Sequence, residues 1–487
     1  AHHRGPGMRL LAPEPFSAGA LRARAEAMAA APFAARPEIP RAWTALSYDQ
    51  YRSIWFRDAE ALWHDGPGPL QVDFFPPGLY FPRPVKVFAV EGGFARKVGF
   101  DLGVFDRTDS FPEMPVDATL GYSGLRMRAE TVAPGIFQEF AVFQGASYFR
   151  AIGRGETYGL SARGLALDTA EPTGEEFPEF TEFYLEAPVP GATAFVLHAL
   201  LDSPSVTGVY RFDIQTDAAT VMDVRATLFP RRSLGHAGIA PLTSMFLFDG
   251  KTPGRFADFR PAVHDSDGLS IRNGAGEWLW RALANPLQLQ ISSFVDQAPG
   301  GFGLMQRTRR YSDFADLEAH YHERPGVWIE PVGDWGAGAV TLVEIPADKE
   351  IYDNIVAYWR PAAPLAAGQA HDLAYRMTWG EGEPAAMAGV AQVLSTRMGV
   401  QEDGQRIAVI DFAAHAALPL DPGEVTIHTS ANAGKVSPGI LQGNPETGGL
   451  RLAFSFDPAG RGEVELRAQL LRAGKQISEV WLYRWTA

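Results

Sequence analysis

From about Leu70 to the C-terminus the chain is a succession of short apolar runs, most of them separated by glycine or proline. This pattern limits the fold more than any other feature. Val85, Val87 and Ala89 alternate with Lys86 and Phe88, and further runs occupy 137–143, 195–201, 209–214, 221–228, 287–294, 341–345 and 355–359. Side chains alternate faces along an extended chain, so such runs read as strands. A spacing of about ten residues, with no long helix between runs, predicts an all-β protein built on a large antiparallel β-sandwich rather than βαβ units. The 50 glycines and 37 prolines agree, because they favour many turns over long helices.

The run at 371–379 ends at Gly380-Glu381-Gly382-Glu383-Pro384. Beyond it, runs at 407–412, 425–430, 450–456, 464–470 and 477–485 suit a separate, small immunoglobulin-like β-sandwich. The expected organisation is therefore an N-terminal segment 1–44 with a short helix, a large domain 45–380 and a small domain 385–487. A chain of 487 residues has room for this. Ser17 is placed to cap a helix over 18–30, and Ser47 with Gln50 forms a capping-box pattern. That box predicts a helix through Tyr51, Ile54 and Trp55, with Trp63 soon after, whose aromatic faces would pack on a sheet. Residues 1–8 (AHHRGPGM) carry no periodic pattern and look like a processing remnant, so they stay outside the fold reasoning.

Fifty-seven acidic residues against 43 basic ones leave a net charge of −14. Phosphate binding relies on clustered Lys and Arg, so nucleic acid is not an expected partner. The absence of cysteine removes disulfides, thiolate nucleophiles, Cys-based zinc sites and iron–sulfur clusters. No apolar run approaches the ~18 residues that cross a bilayer as a helix, so membrane insertion is not expected.

Several familiar motifs fail on inspection. Gly250-Lys251-Thr252 ends like a P-loop, but Met245 stands where the first glycine must be. Gly336 and Gly338 give only GxG, without the third glycine or a βαβ context. Gly159-Leu160-Ser161 lacks the closing glycine of a nucleophile elbow, since Arg163 stands there. Asp265-Ser266-Asp267-Gly268 places its glycine too early for a calcium loop. The 11 histidines include no HExxH pair, and neither a metal nor a cofactor is expected.

What remains is a concentration of carboxylates, arginines and aromatics between Ser244 and Trp359. Its parts are the loop around His264-Asp265-Ser266-Asp267, the Glu277-Trp278-Leu279-Trp280-Arg281 run, Tyr321-His322-Glu323-Arg324, Gly333-Asp334-Trp335-Gly336 and Asp353-Asn354-Ile355. Trp278 and Trp280 fall on one side of an extended chain. Aromatic faces beside carboxylates and arginines suit a saccharide, whose C–H faces lie on rings and whose hydroxyls take charge-assisted hydrogen bonds. Glycosidic hydrolysis asks for two carboxylic groups, one protonated and one ionised. Plain alternatives stand beside this reading: Asp353 opening a strand as a turn residue, Asp265 as an Asx-turn cap, and the tryptophans as sheet packing.

A set of longer blocks narrows the choice. They include Tyr48-Asp49-Gln50-Tyr51-Arg52-Ser53-Ile54, Gln144-Gly145-Ala146-Ser147-Tyr148-Phe149-Arg150-Ala151, Ala240-Pro241-Leu242-Thr243-Ser244-Met245-Phe246, His264-Asp265-Ser266 and Asp353-Asn354-Ile355-Val356-Ala357-Tyr358-Trp359. In content and order these resemble the periplasmic glucans biosynthesis family of Gram-negative bacteria, whose members are the G and D proteins. The resemblance implies a periplasmic protein with a galactose-mutarotase-like large sandwich and an immunoglobulin-like small one. It implies linear β-1,2-glucan as partner and, in some relatives, a homodimer. It also implies an inverting endo-β-1,2-glucanase, with transglycosylation or glucan binding without turnover as the rival activities. Carried over by motif, Asp353 would be the general acid and Asp265 a general base acting on water through a relay. Tyr321, Arg324, Trp278, Trp328 and Trp335 would be subsite or relay residues. An acid at Asp353 has to hold a proton near neutral pH, which predicts a desolvated site or a neighbouring carboxylate. The glycine-rich stretches at Pro299-Gly300-Gly301 and Gly92-Gly93 are loops that closure over a substrate would involve.

Overall fold

The structure, a computed structural model, describes residues 9–384, 387, 389–419 and 421–487. Residues 1–8, and the start of the expected small domain at 385, lie outside them. Strands dominate, as the alternation predicts. The described residues group into two compact units that are not contiguous in sequence. The first takes in the described part of Ala1–Arg154 with Ser161–Pro241 and Arg360–Met377; the second takes in Gly155–Leu160, Leu242–Trp359 and the described part of Thr378–Ala487. This division does not coincide with a boundary near residue 380, because the C-terminal strands group with residues 242–359.

In the first unit, one sheet runs in the order Leu10–Pro15, Phe94–Val98, Lys86–Glu91, Glu179–Glu186, Phe195–Ser203, Val206–Thr216 and Thr220–Pro230. Its pairs are antiparallel except Lys86–Glu91 with Glu179–Glu186, which run parallel. A second sheet contains Leu70–Phe75, Gly124–Ala129, Gln138–Gln144, Tyr148–Ala151 and Ser161–Arg163. The two layers meet through Phe143, Phe149, Phe180, Phe183 and Phe212, whose rings pack mostly edge to face.

The capped helix forms as expected over Ala18–Ala29, with the Ala20 amide donating to Ser17 Oγ at 3.0 Å. It buries Leu21 and Ala25 against Phe88, Val90, Tyr184, Leu200 and Phe229. The capping box at Ser47 and Gln50 is also present, but the helix it opens is shorter than expected. It stops at Arg52, and Trp55–Phe56 is already a strand paired with Phe105–Asp106. A five-residue helix derives little stability from its own hydrogen bonds, so tertiary pairing takes over at once.

In the second unit, Gly268–Arg272 pairs with Trp278–Ala282 on one side and Gly301–Met305 on the other, followed by Gly326–Pro331. Trp278–Ala282 then pairs in parallel with Val480–Thr486, which continues to Glu463–Arg472 and Thr426–Ala431. The facing layer is Val393–Val400, Arg406–Phe412 and Gly449–Asp457, with Lys435–Val436 and Ile440–Asn444 at its edge. The C-terminal strands thus lie in two layers. Their core is shared with Trp278, Trp280, Met305 and Trp328. Gly301 permits this packing, since a Cβ there would sit 2.4 Å from the Trp328 ring. The glycine-rich stretch after Ala298 therefore leads into a tightly packed strand.

One buried ionic group lies within this unit. Arg307 donates to Glu479 at 2.6 and 2.8 Å and to Glu383 at 2.6 Å, with its guanidinium 3.7 Å from the Trp280 ring centre. Burial alone would lower the arginine pKa, but the two carboxylates outweigh it and raise it. Glu479 also accepts the Val393 amide at 2.7 Å, so it holds the start of the facing layer. Removing one partner of a buried pair strands the other charge, typically at a cost of about 3–5 kcal/mol. Glu479→Ala should accordingly lower the urea unfolding free energy by that amount. A loss under ~1 kcal/mol would show that water reaches Arg307 and that the group is not a structural keystone.

Candidate active site

The site is built on one short segment. Residues 244–246 run between two loops, and each loop carries one of the two aspartates singled out from the sequence. On one side, the Asp265 amide donates to the Met245 carbonyl at 2.8 Å and His264 pairs with Phe246. On the other side, the Asn354 amide donates to the Ser244 carbonyl at 3.0 Å. The Asn354 side chain then brackets Phe246, accepting its amide and donating to its carbonyl, both at 2.8 Å. Asp265 and Asp353 are therefore set on opposite flanks of the same three residues.

Every side chain of the His264–Asp267 loop has a hydrogen-bonding partner. His264 Nδ1 meets Gln306 Oε1 at 2.7 Å, and Gln306 Nε2 donates back to the His264 carbonyl and to the Tyr321 carbonyl. Ser266 and Ser244 hydroxyls lie 2.7 Å apart. Asp267 accepts the Arg307 and Thr308 amides, each at 3.1 Å. Asp265 accepts Arg324 Nη1 at 2.6 Å and is 6% exposed. Burying a carboxylate is costly unless it is paired, and Arg324 supplies the partner. Arg324 is itself aimed, since it donates to the Ala319 carbonyl and lies 4.4 Å from the Tyr321 ring centre. Gly159 leaves room for it: a Cβ there would stand 2.9 Å from Arg324 Cβ.

Tyr321, also expected at the site, donates its hydroxyl to Glu350. Burial, Glu350 and Asp265 together push its phenol pKa far up, against the Arg324 charge. The proton therefore stays on the oxygen. Glu350 belongs to a hub that sequence reading missed. Arg260 donates to Glu350 at 3.0 and 3.1 Å, to Asp316 at 2.7 Å and to Asp258 at 2.9 Å, tying three loops together. Beside these residues stand exposed apolar side chains: Phe259, 83% exposed, Leu317, 73%, and Ile351, 76%. Tyr352 follows, 51% exposed.

Two sequence expectations, those for Trp278 and Trp328, need correction. Trp278 and Trp328 are buried, with ring centres 5.4 Å apart in the C-terminal sandwich core, and present no face to a ligand. Trp335 is half-buried, its ring centre 6.3 Å from that of Trp359. Asp353 is exposed. A cavity of about 910 Å³ is lined by His264 and Asp267 but by neither Asp265 nor Asp353. The hydrogen-bonded convergence on residues 244–246 is thus the better guide to the chemistry than the size of an opening.

These observations define a class: an all-β protein that gathers carboxylates, guanidinium groups and a phenol on loops at one place. The family description "Periplasmic glucan biosynthesis protein, MdoG" matches residues 16–485, and the chain belongs to that family. It is 47% identical to a protein of Bradyrhizobium diazoefficiens named "Glucans biosynthesis protein G", over 97% of this chain and 93% of that one. Identically named proteins of Rhodopseudomonas palustris and Vibrio cholerae are 45% and 46% identical, over 97% and 95% of this chain and 94% and 85% of theirs. A galactose mutarotase related enzyme from Lactobacillus acidophilus aligns with 50% of this chain and 98% of its own at 10% identity and a TM-score of 0.21, too slight a likeness to bear on the fold. Among the described residues no helix is long and apolar enough to cross a membrane.

The Arg260 hub has a defined pH response. The Arg260 hydrogen bond lowers the Asp258 pKa, and the Asp316 pKa is lowered because amide and guanidinium donors overcome its burial. Groups with depressed pKa stabilise the fold above the unfolded aspartate value, near 3.9, and lose that contribution as pH falls through the folded value. Arg260→Gln should cost roughly 1.5–3 kcal/mol at pH 7 and at pH 5. The deficit should shrink steadily below about pH 4, where the carboxylates protonate in both proteins. Urea titrations at each pH measure this, and a deficit unchanged at pH 2 would exclude the hub as its source.

Proposed function

We propose that this chain is a periplasmic endo-β-1,2-glucanase that hydrolyses linear β-1,2-glucan with inversion at the anomeric carbon. The observation that carries this reading is the convergence of Asp265 and Asp353 on residues 244–246, with Asp265 buried against Arg324. Asp353 is the acid that protonates the leaving oxygen, and Asp265 is the base that draws a proton from water through a relay. A relay allows the wide carboxylate separation of inverting enzymes. Arg324 pairs with Asp265 at 2.6 Å, a partner that suits a base rather than an acid. Because Asp353 is exposed in the free protein, the bound saccharide itself has to cover it and supply the desolvation that holds its proton. Phe259 and Tyr352 offer the open aromatic faces of this neighbourhood for sugar rings, in place of Trp278 and Trp328.

That same exposure favours one second reading, a biosynthesis factor that holds glucan without turning it over. Incubation with linear β-1,2-glucan separates the two, read by reducing ends and by product size. Hydrolysis releases reducing ends and shortens the chains. Transfer to a sugar hydroxyl redistributes chain length or closes rings with no net gain in reducing ends. Asp353→Asn and Asp265→Asn should each lower the release of reducing ends by at least about 100-fold, the usual scale for a positioned acid or base. Wild-type rates in either variant would remove that residue from the mechanism.

A further inference from the structure

The turn that supplies Tyr321 and Arg324 also carries His320, His322 and Glu323, which the chemistry above leaves unused. His320 Nδ1 lies 3.6 Å from Glu323 Oε2, and His322 Nε2 lies 3.6 Å from Glu323 Oε1. One ligand-competent atom from each of the three falls within 4.8 Å of the others. Donors bound to zinc at 2.0–2.2 Å stand about 3.3–3.5 Å apart at tetrahedral angles, so the cluster is close to a coordination sphere already. Small side-chain rotations complete it.

Local structure explains the convergence. Tyr321–Glu323 is a single turn of 3₁₀ helix led by His320, and side chains three apart in such a turn eclipse one another. The turn is held by the Glu323 amide donating to the His320 carbonyl and by the Thr157 amide donating to the Glu323 carbonyl, at 2.9 and 3.1 Å. The Tyr311 ring meets His322 edge-on, with centres 5.6 Å apart. Two features remain unexplained by packing. His320 adopts φ +49°, a left-handed conformation that costs a side chain other than glycine about 1–3 kcal/mol. Its Nδ1 and that of His322 are shielded from solvent and make no hydrogen bond among the described residues. A shielded nitrogen without a partner is costly, and strain of this kind gathers where a ligand is bound.

We propose that His320, His322 and Glu323 form a binding site for a divalent first-row transition metal, zinc in particular, with two imidazoles and one carboxylate as ligands. Imidazole donors select such an ion over Mg²⁺ and Ca²⁺, which take oxygen ligands. The ion leaves a fourth position to water, as three-ligand zinc sites do. This site stands independently of the reaction proposed for Asp353 and Asp265.

The test uses the full chain carrying no affinity tag, stripped with chelator and titrated with Zn²⁺ by calorimetry at pH 7.5. Wild type should take up one equivalent at this site and ignore Mg²⁺ at the same concentration. His320→Ala and His322→Gln should each weaken that uptake at least tenfold. Glu323→Gln, which preserves shape, should weaken it too while the near-ultraviolet circular dichroism stays that of wild type. His2→Ala/His3→Ala removes the other nearby pair of imidazoles in the sequence and should leave the uptake intact. Co²⁺ gives a second readout, since its visible absorption reports imidazole ligation and should vanish in the two histidine variants. Absence of uptake by wild type, uptake unchanged in His320→Ala and His322→Gln, or loss of it only in the His2/His3 variant would each overturn the proposal.

Discussion

The arrangement at the site depends on the sharing of residues 244–246 between two loops. A buried segment has to satisfy its amides and carbonyls, and here the Met245 carbonyl is taken by the Asp265 amide and the Ser244 carbonyl by the Asn354 amide. Asn354 closes the remaining positions at Phe246 with its side chain. The same hydrogen bonds that complete the backbone therefore fix the spacing of the two aspartates. A polar network of this kind tolerates little variation, because losing any member leaves a buried group without a partner. From this anchor outward, Gln306 connects His264 to Tyr321, and Arg324 connects that turn back to Asp265.

The two aspartates occupy opposite environments. Asp265 is buried against a guanidinium, and Asp353 stands in solvent next to exposed apolar side chains. An acid and a base need environments that push their pKa values apart. In the free protein Asp265 already has a guanidinium partner. Under the reading proposed here, bound saccharide covers Asp353, so binding and acidity are coupled. The Arg260 hub holds the loops that carry Phe259, Leu317 and Ile351, which gives this exposed apolar surface a rigid base.

Much of the fold was legible because strand periodicity is local. Runs at 195–201, 209–214 and 221–228 appear as Phe195–Ser203, Val206–Thr216 and Thr220–Pro230, lengthened by pairing with neighbours. The Ser17 and Ser47 caps appear as read, since a cap depends on residues three apart. The helix after Ser47 was overextended because its aromatic spacing looked helical, while strand pairing at Trp55–Phe56 claimed those residues. At the site, the sequence singled out Asp265, Arg324 and Tyr321, which come together. It passed over Arg260, Asp316 and Glu350 and gave His322 and Glu323 no role of their own, since none sits in a familiar spacing and their meeting is a product of loop folding.

The sequence by itself determined that the chain would be strands with short capped helices, and which family its blocks belong to. It also determined that Trp278 and Trp280 would share a face, because alternation is built into an extended backbone. Only the tertiary structure decided which face that was. Parallel pairing of Trp278–Ala282 with Val480–Thr486 turns both rings into a core formed some 200 residues later in the chain. The same holds for charge: alternation and motif named the carboxylates, but burial and partners, which come from chain segments far apart, set which of them is buried against a guanidinium and which is exposed.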